Sequence, residues 1–151
     1  KENTDIQRIS ELKCNHPFDT LPIDIRKSSM ALFLTEILNK IIKEKYDTEE
    51  LFLFIQQSIL FLDKMTEGFE NFHIQFLIKL SKYLGFSVTD NDELLMLLEG
   101  SHQLFEEPFN NRLAINFESR KLLLSSILSY YKHHSGLNDV KSLTILKEVL
   151  H

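Results

Sequence analysis

Residues 71–86, NFHIQFLIKLSKYLGF, constrain this chain more than any other stretch. Phe72, Phe76, Leu77, Leu80, Tyr83 and Leu84 recur at the three-and-four spacing of a helix, while Gln75, Lys79 and Lys82 fall together on another side. Ile74 and Ile78 widen the apolar face well beyond a narrow seam, so helices must pack on it from more than one direction. The spacing therefore predicts a central helix over 71–84 with one polar stripe. Gly85 follows the last periodic residue, where a residue without Cβ ends a helix at least cost, and Phe86 is placed to fold back onto the last turn.

The rest of the sequence supplies partners for such a helix. Met30, Phe33, Leu34, Ile37, Leu38, Ile41 and Ile42 form a helical stripe over 23–45, with Glu36, Asn39, Lys40 and Lys43 opposite. The DTEE run at 47–50 supplies an N-cap oxygen and first-turn carboxylates for a second helix over 48–65. That helix is apolar almost all round, which predicts a place inside the bundle. Asn116 caps a helix over 117–133, with Phe117, Leu124, Ile127, Leu128 and Tyr131 on one face and Gly136 after its end. A last short helix turns Leu143, Leu146, Val149 and Leu150 inward, with Ser142 or Asp139 as its cap. Residues 87–115 carry no clear period and read as short helices and loop; residues 1–21 read as a lead-in segment with one short strand at most.

With 12 Phe, no Trp, 4 Gly and 3 Pro, the composition favours helices over a turn-rich sheet protein. The expected fold is an all-α, compact helical bundle with a central buried helix and an irregular segment between the central and late helices. At 151 residues the chain fits one domain able to bury roughly 68–70% of its unfolded surface. No apolar run approaches the about 18–20 residues of a membrane span, so no membrane partner is expected.

Charge and motifs narrow the function classes. The formal net charge is −5, and the acidic excess lies in residues 46–115, with 12 Asp/Glu against 4 Lys/Arg. Such a surface repels a phosphate backbone, which disfavours extensive nucleic-acid binding by this chain alone. The lone Cys14 excludes an intrachain disulfide and a four-cysteine zinc site. His133 and His134 are adjacent and point about 100° apart, so they do not share a metal geometry by themselves. Asp90, Asp92 and Glu93 resemble a calcium-loop opening, but Leu95 and Ser101 stand where Gly and Glu are required. Ser101-His102 lacks the surrounding elbow of a nucleophile site, and the four glycines stand alone, with no phosphate-cradling loop. No catalytic residue, cofactor or metal is expected.

Read in order, several stretches resemble the C-terminal helical part of the RecO recombination mediators of the Bacteroides group. They are HPFDTLPIDIRKS at 16–28, ALFLTEIL at 31–38, NFH at 71–73, LSKYLGF at 80–86, SYY at 129–131 and KSL at 141–143. The resemblance implies a non-catalytic, cytoplasmic role in recombinational DNA repair. Its implied partners are the acidic, Phe-terminated tail of single-stranded-DNA-binding protein, RecR, and single-stranded DNA, with RecA loading and strand annealing as the outcome. It also implies an N-terminal oligonucleotide-binding barrel ahead of Lys1, with most of the DNA contacts, so that 1–21 is a lead-in and 22–151 the helical domain. The four-cysteine zinc finger of many members is not expected, because no Cys follows Cys14. The alternative is a helical scaffold or regulatory protein-interaction domain unrelated to repair. A peptide with a terminal aromatic needs an apolar slot edged by cations. The candidates are Lys79, Lys82, Arg120, Lys121 and Lys141, of which Lys141 lies in a matching stretch and the others are chosen from helical faces. The ordinary role of such residues is to face solvent.

Overall fold

The computed structural model describes residues 10–42, 48–97, 109 and 115–150. Among the described residues six α-helices follow one another: α1 (Ile25–Ile41), α2 (Glu49–Lys64), α3 (Phe72–Tyr83), α4 (Asp92–Leu97), α5 (Phe117–Ser135) and α6 (Ser142–Val149), with 3₁₀ turns at Phe69–Asn71 and Val88–Asp90. No strand occurs among the described residues, the lead-in from residue 10 included. Of the irregular segment expected over 87–115, residues 98–108 and 110–114 lie outside the described residues, Ser101-His102 among them.

Helix α3 is central, as its pattern requires: every residue from Phe72 to Ser81 is buried. Its polar stripe is not an exposed face, and this corrects the reading of Gln75 and Lys79, each 2% exposed. Phe109 covers that side. Its ring stacks on Phe72 at 4.7 Å and on Phe61 at 5.5 Å, and the Lys79 ammonium lies 5.5 Å from its centroid. A lysine stem is apolar enough to be buried while its head meets the negative face of a ring. At the end of α3, Gly85 adopts φ 77°. Phe86 N–H donates to Ser81 O and Gly85 N–H to Lys82 O, each at 3.2 Å, which is the paired capping pattern a left-handed glycine permits. The Phe86 backbone thus turns back to the last turn of α3, as expected, while its ring packs on α5, edge-on to Tyr131 at 5.0 Å and stacked on His134 at 5.5 Å.

Helix α2 lies at the edge of the bundle, contrary to its expected interior place. Thr48 caps it, accepting from Leu51 N–H, and its buried line is Leu51, Ser58, Leu62 and Asp63. Phe52 is 62% exposed, and Leu53 and Phe61 also face out. An apolar perimeter says that several faces are able to pack, not which one does, and isolated apolar side chains at a surface cost little.

The polar residues at the end of α2 fasten the start of the chain. The Asp63 carboxylate accepts backbone N–H bonds from Asp19, Thr20 and Leu21 at 3.0, 2.9 and 2.7 Å. Beside it the buried Lys27 of α1 donates to Asp63 O at 2.9 Å, to Met65 O and to the Thr20 hydroxyl. Burial pushes the Asp63 carboxyl up, but the three N–H donors and Lys27 outweigh it and hold it below its usual 3.8.

Helix α5 buries Leu123, Leu124, Ile127 and Tyr131, and the Tyr131 hydroxyl donates to Leu77 O at 2.6 Å. Asn116 is its cap, accepting from Ser119 N–H at 2.8 Å, as the sequence predicts. Phe117, expected in the core, is 40% exposed. Helix α6 packs along α1 with Leu146 buried. Neither Ser142 nor Asp139 caps it. Glu36 of α1 does so, accepting from Lys141 N–H at 3.0 Å, Ser142 N–H at 2.8 Å and the Ser142 hydroxyl at 2.6 Å.

Two stability predictions follow from this packing. Leu80 is fully buried, and Leu80→Ala is expected to cost roughly 2–5 kcal/mol in denaturant unfolding, with a loss below about half a kcal/mol contradicting the central placement. Because the folded pKa of Asp63 is depressed, its stabilisation is present above 3.8 and is lost as pH falls through the folded value. Asp63→Asn is expected to be less stable than the natural chain at neutral pH and to lose less on acidification below about pH 4; parallel acid dependences in the two proteins would contradict the assignment.

Candidate peptide-binding groove

Three helices leave a cleft of about 140 Å³ at one side of the bundle. Phe117 and Leu124 of α5 form one apolar wall, and Leu146 and Leu150, in and just after α6, form the other. Arg120, Lys121 and Lys147 border it, and His73 of α3 lines it from within. Residues 117, 120, 121 and 124 come together because they are three or four apart on α5.

Two buried nitrogens there have no hydrogen-bond partner among the described residues: His73 Nδ1 and Arg120 Nε. Arg120 spends one of its donors on Ile115 O at 3.1 Å. Burial lowers its pKa and the Glu70 charge raises it, and a guanidinium stays charged under such shifts. Burial, and then the nearby Arg120 charge, push His73 down to about 3, so its imidazole is neutral at physiological pH. The His73 ring is wedged edge-on against Phe33 at 6.1 Å. A buried polar group left unpaired is costly. The cleft thus combines an apolar interior with three cations at its border, which is the arrangement that an apolar side chain joined to a carboxylate satisfies.

Of the candidates from the sequence, the structure brings Arg120 and Lys121 together and leaves the other three elsewhere. Lys79 is covered by Phe109. Lys82 is exposed in the last turn of α3 and does not line the cleft. Lys141 borders a separate apolar groove of about 440 Å³ between α1 and α6, with Leu32 and Ile145. Lys147 and His73 are the residues that sequence reasoning missed as site members. Lys147 was legible as an exposed position of α6, but nothing in the sequence says that α6 lies beside α5. His73 gave a weak signal, a polar residue inside an otherwise apolar turn. A third groove, about 520 Å³ between α4 and α5, is lined by Glu93, Ser126, Ser129, His133 and His134. No group of three or more ligating side chains suited to a metal ion occurs among the described residues. No helix among them is long and apolar enough to cross a membrane.

The family described as the C-terminal part of recombination protein O matches residues 23–92, from the start of α1 into α4. A DNA repair protein RecO of Phocaeicola vulgatus is 31% identical over 97% of this chain and 72% of its own length. One from Flavobacterium johnsoniae is 30% identical over 99% of this chain and 72% of its own. One from Bacteroides fragilis is 45% identical over 56% of this chain, a match that spans 35% of that relative. No solved structure matches this chain. The relatives from Phocaeicola and Flavobacterium align across nearly all of the sequence, the helices that form the cleft among them, and on that extent of similarity the chain belongs to the RecO family of DNA repair proteins.

Proposed function

We propose that this chain is a non-catalytic mediator module of recombinational DNA repair whose α3–α5–α6 cleft captures an acidic, Phe-terminated peptide, the tail of single-stranded-DNA-binding protein. The observation that carries the reading is the cleft itself: apolar walls bordered by Arg120, Lys121 and Lys147. The terminal aromatic ring enters between Phe117, Leu124, Leu146 and Leu150. The terminal carboxylate meets Arg120, whose planar fork suits it, and the preceding acids meet Lys121 and Lys147. Membership of a family named for DNA repair supports the cellular role over that of an unrelated helical scaffold. On this reading, RecR and RecA loading are engaged by the larger assembly. Single-stranded DNA is bound mainly by an N-terminal barrel, because the acidic middle of this chain, 12 Asp/Glu against 4 Lys/Arg over 46–115, opposes phosphates.

Titration of a labelled acidic peptide ending in Phe onto the chain, at low and physiological salt, tests the reading. Saturable binding is expected, weakening with salt. Arg120→Glu is expected to reduce affinity by about tenfold or more, the scale of a lost charge-assisted contact made worse by repulsion. Lys121→Glu and removal of the terminal Phe should each weaken binding as well. Lys141→Glu, at the other groove, should leave it nearly unchanged; loss at Lys141 with indifference at Arg120 would move the site to the α1–α6 groove. Absence of saturable binding at low salt would overturn peptide capture altogether. A separate expectation is weak, steeply salt-dependent binding of single-stranded DNA by this chain, measured by the same method; tight binding at physiological salt would contradict the assignment of DNA contacts elsewhere.

A further inference from the structure

The cleft has one wall that depends on a contact made outside it. Helix α6 has eight residues, and an isolated helix shorter than about 12–15 residues is marginal in water. Its cap residue, Lys141, makes no side-chain capping bond. The first N–H groups of a helix need partners from elsewhere, and here the carboxylate of Glu36, a residue of α1, receives two of them together with the Ser142 hydroxyl. Lys40, one turn along α1, holds that carboxylate at 2.8 Å and donates to Asp139 O. Two side chains of α1 therefore grip both the segment that leads into α6 and the first turn of α6.

Glu36 is not part of the cleft; it borders the α1–α6 groove on another side of the same helix. From Ser142 to Lys147 is five residues, about 7.5 Å along the helix axis. A short helix held at its start carries that constraint to the wall it presents. We infer that Glu36 is a positioning residue for ligand capture: by fixing the start of α6 it sets where Leu146, Lys147 and Leu150 stand against α5. The inference rests on the peptide-capture reading above. It assigns to Glu36 a role in binding that acts through α6 and not through contact with the peptide.

The test is the same peptide titration with Glu36→Gln, Lys147→Ala, Lys121→Ala and the double variants Glu36→Gln/Lys147→Ala and Glu36→Gln/Lys121→Ala, each checked for helical content. Gln keeps the shape but loses the charge and one acceptor, and Glu36→Gln is expected to weaken binding about five- to tenfold, the scale of a lost cap. Lys147→Ala should then cost much less in the Glu36→Gln background than alone, while Lys121→Ala costs the same in both, because coupling appears between residues that act together. General loosening of the fold would not separate the two lysines. Amide exchange at Lys141 and Ser142 should quicken in Glu36→Gln. Lys40→Met, which leaves the carboxylate cap in place, should weaken binding by about two- to threefold, and it carries the decision if Glu36→Gln does not fold. Saturable binding by the natural chain with unchanged affinity in Glu36→Gln, or with equal additivity for Lys121 and Lys147, overturns this inference alone, as does wild-type affinity with unchanged exchange in Lys40→Met. No saturable binding by the natural chain overturns the capture reading, and this inference with it.

Discussion

The arrangement of this bundle depends on a buried lysine. Lys27 is 2% exposed, and burial pushes its pKa down. An ammonium tolerates such a place only when its donors are met, and here they are met by the carbonyls of Asp63 and Met65 and by the Thr20 hydroxyl. Two of those acceptors sit where α2 ends and its last carbonyls lack intrahelical partners, so a cation is favoured there twice over. The Asp63 carboxylate meanwhile gathers three consecutive N–H groups of the lead-in. One node thus joins the lead-in, α1 and the end of α2. It fixes where the chain leaves α2 for the Gly68 turn and hence the entry to α3. Removing either partner would strand several polar groups at once, a cost that apolar packing nearby does not offset.

Around that node the bundle is organised as cover for α3. A helix buried on every side needs neighbours on every side: α2 and Phe109 on one flank, α5 on another. The Tyr131 hydroxyl satisfies Leu77 O, so α5 is fixed to α3 by a directional bond as well as by apolar contact. Helix α6 packs along α1, and between it and α5 a cleft opens that His73 and Arg120 line. The candidate site is this gap. It is placed on helices and not on loops, which suits a site that must hold an apolar slot and three cations in fixed relation.

Much was legible from local signals. The stripe on α1, the Asn116 cap, a capped start of α2 within 47–50, the stops at Gly85 and Gly136, and the burial of Leu80, Leu77 and Ile127 all follow from spacing and backbone chemistry within a turn or two. Arg120 and Lys121 were readable as a pair for the same reason. Polar residues whose partners lie far along the chain were not. Glu36 looks like a solvent-facing member of α1, and the helix it caps lies more than one hundred residues later.

The sequence by itself determined helix identity, the central helix and the family, because periodicity, capping residues and motif order are properties of neighbours in the chain. Only the tertiary structure decided which faces meet. It set α2 at the edge despite its apolar perimeter, covered Lys79 with Phe109, sent the Phe86 ring to α5, and placed Lys147 opposite Arg120. The physical reason is that hydrophobic burial is non-directional. Several packings of one helix remove similar apolar area from water, and the choice among them rests on shape and on a few long-range polar bonds that no local pattern encodes.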